Sequence, residues 1–277
     1  MEIIRTRAAM REYARQHSAN TGFVPTMGYL HEGHLSLVRR AKTENRKVVV
    51  SIFVNPAQFN DPKDLEKYPV DFERDAAMLE GEGVDAVFAP MREEIYPDGV
   101  PALRMSYDAI MNKLCGAHRP GHFEGVLLVV HNLFMWVQPR RAYFGLKDYQ
   151  QYLLISKMAH DLELPVEVIG CPLVREADGL AMSSRNVRLS ASGRQQALTI
   201  SRALFTAAEL WRSGAEVAET EAALHSALAA LQVEYALVCD AKTLVTLTGK
   251  ESRPKNVVIA VAAFVDGVRL IDNILLK

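Results

Sequence analysis

Residues 47–54, Lys-Val-Val-Val-Ser-Ile-Phe-Val, are apolar almost throughout. A strand with one wet face alternates polar and apolar side chains. A run without that alternation needs cover on both faces, as in a parallel sheet wrapped by helices. The flanking sequence agrees. Short β-rich runs at Phe23–Pro25, Lys47–Val54, Ala86–Ala89, Ala142–Phe144 and Val166–Ile169 alternate with helix-length amphipathic stretches near Thr6–Gln16, Glu32–Thr43, Asp71–Glu82, Phe123–Val137 and Tyr149–Leu162. The expected fold is α/β, a Rossmann-like doubly wound parallel sheet. Such sheets take ligands beyond the carboxyl ends of their strands, so the residues after each strand carry the functional information.

The texture changes after about residue 175. A polar stretch, Arg175–Asn186, leads into two Ala-rich helices near Ala191–Ser213 and Glu219–Leu231, then β-rich runs at Tyr235–Cys239, Val257–Val265 and Arg269–Leu276. In AAFVDGVRLID, Asp266–Gly267 reads as the type I′ turn of a hairpin. A second, smaller α+β domain is expected at 176–277, after a larger one at 1–175.

Bulk properties narrow the function. With 32 basic against 33 acidic side chains, net charge is −1, so nothing in the overall electrostatics calls for a nucleic-acid or membrane partner. A small anionic ligand stays open, because a pocket needs only a few local cations. No apolar run is long enough to cross a bilayer, and the N-terminus lacks an apolar signal core. Cys115, Cys171 and Cys239 are scattered, with no CxxC pair or zinc spacing, and read as reduced thiols of a cytoplasmic protein.

Five segments carry chemistry. In residues 23–41 a short strand runs through Gly28 into His31, Gly33 and His34 and then a helix. Two imidazoles three residues apart share a helix face, and a helix start attracts anions, so they suit phosphate oxygens. The plainer reading is a polar helix start. In residues 51–60, Gln58 follows the buried strand, where its amide either orients a hydroxyl and a carboxylate or is satisfied within its loop. Arg119, Pro120, Gly121 and His122 form a basic corner before a helix; a ligand role and a turn-shaping role stand side by side. In residues 141–151, Gly145 permits close approach, Lys147 offers a point charge to phosphate, and Asp148 suits ribose hydroxyls, unless Lys147 and Asp148 are merely a surface pair. In residues 175–186, Ser183, Ser184 and Arg185 are placed to close over a triphosphate, or the stretch is a linker. No Walker-type loop is present, so any nucleotide site here is built from helix starts and side chains.

Taken together, VPTMGYLHEGHLSL, NPAQFN, HRPGHFEGV, FGLKDYQQ and DGLAMSSRN occur in an order and spacing that resemble the pantothenate synthetase family, within the HIGH-type nucleotidyltransferase superfamily; IDN at 271–273 also fits. The resemblance covers nearly the whole chain and implies an ATP-dependent ligase. Pantoate would be activated as pantoyl adenylate with release of pyrophosphate, and β-alanine would then displace AMP. It implies Mg²⁺ with the triphosphate, metal ligands unknown, in a cytoplasmic homodimer.

Position by position, His34 matches the proton donor or transition-state stabiliser and His31 its phosphate-binding neighbour. Met27, Gly28, Tyr29, Leu30, His31, Glu32, Gly33 and His34 match one ATP-binding segment. Gly145, Leu146, Lys147 and Asp148 match a second, Lys147 on phosphate and Gly145 and Asp148 on ribose. Val174 and Met182 match adenine contacts, and Ser183, Ser184 and Arg185 a mobile phosphate loop. Gln58 and Gln151 match the amides that hold pantoate, and Gln58 also a β-alanine contact. His34, His31, Lys147 and Arg185 are the expected catalytic set. Four positions depart from the family pattern: Leu128 and Asn132 stand for Thr and Lys, Cys115 for an acidic residue, and Leu146 for Glu. Two other functions remain on the same fold, a plain adenylyltransferase and a catalytically silent binding protein.

Overall fold

The computed structural model describes residues 1–17, 20–249 and 254–277. These form two compact units. One comprises Met1–Tyr107, Arg119–Leu146 and Gln151–Pro172; the other comprises Asp108–His118, Lys147–Gln150 and Leu173–Lys277.

The first unit is built on six strands, β1 (Glu2–Ile4), β2 (Thr21–Thr26), β3 (Lys47–Ile52), β4 (Ala86–Phe88), β5 (Arg141–Gly145) and β6 (Glu167–Cys171). All neighbours are parallel, in the order β1-β4-β3-β2-β5-β6. Val48, Val49 and Val50 of β3 are fully buried although successive side chains point to opposite faces, so the sheet is covered on both sides. Each such side chain contributes roughly 1.5–3 kcal/mol. The anticipated helices appear as Arg7–His17, Glu32–Glu44, Phe72–Gly81, His122–Val137 and Tyr149–Asp161. Strand β1 was not anticipated.

Strand order fixes the ligand end. From β2 the chain adds β3 and β4 on one side, then returns to place β5 and β6 on the other. The reversal lies between β2 and β5, and such a switch point leaves a crevice at the carboxyl ends. The β2–β3 ladder runs to Thr26–Ile52, whereas the β2–β5 ladder stops at Phe23–Ala142, so β2 and β5 part at that end.

The second unit has an antiparallel sheet in the order β7 (Gln232–Asp240), β8 (Val257–Val265), β9 (Val268–Leu276). The Ala191–Ser213 helix packs Ala197, Leu204, Ala207 and Ala208 into a core with Val257, Ile259, Val261 and Ala263 of β8. Ser190 caps its start and left-handed Gly214 its end. Asp266 and Gly267 have φ of 51° and 71°, as a type I′ turn requires. The Asp266 carboxylate also accepts from the Ser190 N–H and hydroxyl, both at 2.8 Å, tying the hairpin to the helix start. The second helix is Val217–Ala227 instead of reaching Leu231, and β7 begins at Gln232 instead of Tyr235. Nine-residue β8 offers a full ladder, and pairing with it draws in residues that read locally as neither element. Among the described residues no helix is long and apolar enough to cross a membrane.

Candidate active site

At the end of β2, Gly28 and Tyr29 are both left-handed, with φ of 84° and 50°. The turn they make points neighbouring N–H groups toward one anion. Here the anion is internal. The Asp75 carboxylate, 1% exposed, accepts from Tyr29 N at 2.6 Å and Leu30 N at 2.7 Å. Burial pushes its pKa up, and the two N–H groups and Arg74 only partly offset that. Arg74 donates to Leu30 O at 2.8 Å, and its guanidinium lies 5.0 Å from the centre of the Tyr29 ring.

This loop delivers His31 as the N-cap of the Glu32–Glu44 helix, outside its first turn, and His34 at its third position. His31 Nδ1 accepts from Gly33 N at 3.2 Å, while His34 Nδ1 accepts from His31 N at 3.3 Å. An imidazole nitrogen that accepts carries no proton. Each neutral ring is therefore held as the Nε2–H tautomer by the backbone of its own turn. The rings lie 4.0 Å apart. The N–H groups of His34 and Leu35 donate to His31 O. The backbone N–H groups of Gly33, His34 and Leu35 are thus engaged within the turn.

At the end of β3, Asn55 is 1% exposed and caps a short turn, Pro56–Gln58. Its amide donates to Gln58 Oε1 and to Gly125 O, both at 3.1 Å, and its oxygen accepts from Tyr96 at 2.8 Å. Burial pushes the Tyr96 hydroxyl up to about 12, so it remains a donor. Gln58 is buried, and its Nε2 lies 3.2 Å from Met27 Sδ, which joins the β2 and β3 ends. Its amide orientation is fixed with nitrogen as donor.

The basic corner grips the same turn. Arg119 Nη1 lies 3.0 Å from His122 Nε2, which must accept because a guanidinium only donates. His122 Nδ1 therefore carries the proton and donates to Gln58 O at 2.8 Å. Arg119 Nη2 reaches that carbonyl at 3.3 Å. Of the two readings of this corner, the turn-shaping one has direct geometric support.

At the end of β5, Gly145 leaves open space, since an added Cβ would meet nothing within 4 Å. Leu146 packs on Gly170 of β6, which accounts for an apolar side chain there. Gln151 is half-buried in the Tyr149–Asp161 helix.

In the second unit, Lys147 Nζ lies 3.8 Å from Asp148, and Lys147 O accepts from Asn273 Nδ2 at 2.9 Å. Arg175 forks onto Asp272 at 2.6 and 2.9 Å and also donates to Gly179 O. Burial pushes Asp272 up, against the pull of Arg175. Thus Asp272 and Asn273 on β9 tie down the Arg175 loop and the Lys147 turn. The 174–182 stretch is a closed turn, with Met182 N donating to Val174 O at 3.1 Å and Arg175 bridging Ala181. Ser183 caps the Ser184–Arg188 turn by accepting from Arg185 N, and Ser184 is buried. Asn186 donates to Glu176 and Ala181 O, so the segment has defined internal structure where a linker was the alternative. Cys115 lies 3.1 Å from the Tyr235 hydroxyl and 3.5 Å from Arg269, Leu128 is buried, and Asn132 is half-buried.

Sequence reasoning missed Arg74, Asp75, Asn55 and the roles of Asp272 and Asn273. An Arg–Asp pair inside a helix of ordinary composition gives no local signal. Asn55 was visible only as the turn residue before Pro56.

A parallel sheet with an imidazole pair and an oriented amide at its carboxyl ends is the framework of an α/β enzyme. The sequence matches the family model described as Pantoate-beta-alanine ligase over residues 2–275. It is 49% identical to pantothenate synthetase of Moorella thermoacetica over 284 residues, covering 100% of this chain and 99% of the relative. It is also 49% identical to that of Thermotoga petrophila, covering 100% of both. The fold superposes on pantothenate synthetase of Thermus thermophilus with a TM-score of 0.94 at 46% identity, covering 99% of each chain. Pantoate-beta-alanine ligase of Francisella tularensis, complexed with beta-gamma ATP and beta-alanine, matches with a TM-score of 0.80 at 35% identity, covering 99% of this chain and 97% of that one. The chain belongs to the pantoate–β-alanine ligase family.

Proposed function

We propose that this protein condenses pantoate with β-alanine at the expense of ATP, through pantoyl adenylate. The pantoate carboxylate attacks the α-phosphorus and pyrophosphate leaves; the β-alanine amine then attacks the acyl carbon and AMP leaves, giving pantothenate. The protein needs no covalent chemistry of its own. It must hold reactants in line and meet developing negative charge with fixed donors.

The observation that carries the reading is the reciprocal cap of His31 and His34, which sets both rings as Nε2–H donors beyond β2. We assign His34 to the charge on the reacting phosphate and His31 to the phosphate beside it. The remaining assignments rest on the family resemblance. Met27–His34, Gly145–Asp148, Val174, Met182 and Ser183–Arg185 take ATP, with Lys147 and Arg185 as phosphate cations. Gln58 and Gln151 take pantoate, and Gln58 also β-alanine. Mg²⁺ would neutralise triphosphate charge. Among the described residues no group of three His, Cys, Asp or Glu side chains could hold a metal. Mg²⁺ usually keeps several waters and binds through substrate phosphates. Homodimer assembly and a cytoplasmic location have the family as their support.

The test is ATP–pyrophosphate exchange with and without pantoate. Exchange that requires pantoate, followed by AMP release on adding β-alanine, is expected. Exchange supported by a mononucleotide instead would indicate a plain adenylyltransferase, and no turnover by folded protein with Mg²⁺ a binding protein.

A further inference from the structure

We propose that Arg74 and Asp75 form a positioning clamp for the reaction, holding the Gly28–Leu30 loop so that His31 and His34 stand in a fixed orientation; this rests on the ligase reading above. The loop after a β-strand is where nucleotide enzymes commonly place a phosphate on backbone N–H groups. In this chain the N–H groups of Tyr29 and Leu30 already hold the Asp75 carboxylate, at 2.6 and 2.7 Å. These two donors are met from within the chain, and they tie the loop to the Phe72–Gly81 helix.

The clamp grips from two sides. Asp75 takes two N–H groups, while Arg74 takes the Leu30 carbonyl at 2.8 Å and lies against the Tyr29 ring. The adjacent loop is costly without it. A tyrosine at φ 50° is strained, and an added Cβ at Gly28 would meet Ile52 Cγ2 at 3.0 Å and Asp75 Oδ2 at 3.1 Å. Leu30, 1% exposed, anchors the loop from below, and His31 follows it directly. The N-cap geometry of His31, φ −144° and ψ 174°, continues from the clamped Leu30. Releasing the two N–H groups frees the backbone that sets both imidazole tautomers.

The experiment compares wild type with Asp75→Asn and Arg74→Ala. An Asn side chain has the shape of Asp but only one accepting oxygen, so its NH₂ faces a backbone donor. Three quantities are read: thermal melting, kcat and KM in pantoate-dependent exchange, and the ¹⁵N ring signals of His31 and His34, which report the tautomer. Asp75→Asn is expected to lower kcat about 10²-fold, the scale of a misplacement near 1 Å. Its KM for pantoate is expected to change less, and the ring nitrogens are expected to shift from Nε2–H toward mixed tautomers. Arg74→Ala, at a half-exposed side chain, is expected to fold and lose about tenfold in kcat, one hydrogen bond's worth. Folded variants with wild-type kcat and unchanged ring signals overturn the clamp. If Asp75→Asn does not fold, an unchanged kcat in Arg74→Ala overturns it. If wild type shows no pantoate-dependent exchange, the ligase reading fails, while the ring signals still judge the clamp.

Discussion

Gly125→Ala is expected to damage both stability and catalysis, although alanine is the better helix former. Gly125 lies in the His122–Val137 helix, where an added Cβ would fall 2.2 Å from Ala57 O, 2.5 Å from Ala57 C and 2.7 Å from Gln58 N. Ordinary contact requires more than 3 Å, so the turn and the helix must separate by about 1 Å. The obstacle is backbone and cannot rotate away. That separation stretches the bonds that hold the turn, Asn55 to Gly125 O at 3.1 Å and His122 to Gln58 O at 2.8 Å. Overpacking costs roughly 1–3 kcal/mol and each weakened bond about 1 kcal/mol, against about 1 kcal/mol gained in helix propensity. The net loss is roughly 2–4 kcal/mol. Because Gln58 moves with its turn, pantoate-dependent exchange should fall by about 10². The control is Gly81→Ala, at the end of the Phe72–Gly81 helix, where an added Cβ meets nothing within 4 Å. That variant should be neutral or gain up to about 1 kcal/mol. Denaturant titration and the exchange assay on both proteins decide the matter. Gly125→Ala with wild-type midpoint and rate would refute the argument that this glycine exists to admit the Gln58 turn.

His34→Ala should lower exchange turnover by about 10² or more, the scale of losing one preorganised donor, with melting little changed; an unaltered rate removes His34 from the mechanism. Asp272→Ala removes the buried partner of half-buried Arg175 and should destabilise the second unit by roughly 1–3 kcal/mol, the scale of hydrogen bonds to a charged group, measured by denaturant titration. For Asp85, burial pushes its pKa up but the ammonium groups of Lys47 and Lys42 and the Val48 N–H outweigh it, leaving the group below its ordinary value. Its stabilising contribution is present above the unfolded Asp value near 4 and lost as pH falls through the lower folded value. Asp85→Asn should therefore flatten the acid limb of the stability profile below about pH 4, and an unchanged limb contradicts the assignment. Burial pushes the Cys239 thiol up to about 11, so it should resist alkylation by iodoacetamide at pH 8 in folded protein, read by peptide mass; rapid labelling there contradicts its burial.

The sequence alone determined the parallel sheet, because the Lys47–Val54 run lacks alternation and can be satisfied only between two covered faces. It also determined most of the long helices and the hairpin turn at Asp266–Gly267, since periodicity and left-handed φ are local properties written in consecutive residues. The motifs beyond the strand ends were legible for the same reason, as was the family they resemble. Tertiary structure decided the rest. That β2 and β5 flank the reversal in strand order depends on which strands pair, and no segment encodes its neighbour. The packing of Lys147–Gln150 with residues beyond 172 likewise follows no chain order. Asp75 sits 45 residues from the Leu30 N–H it accepts, and Asp272 97 residues from Arg175. Such partners are chosen by burial, which makes an unmet charge or N–H costly enough to select a partner from anywhere in the chain. Even the imidazole tautomers belong to this second class. Two histidines three residues apart are visible in the sequence, but which ring nitrogen holds the proton was fixed only when the folded turn supplied its backbone donors.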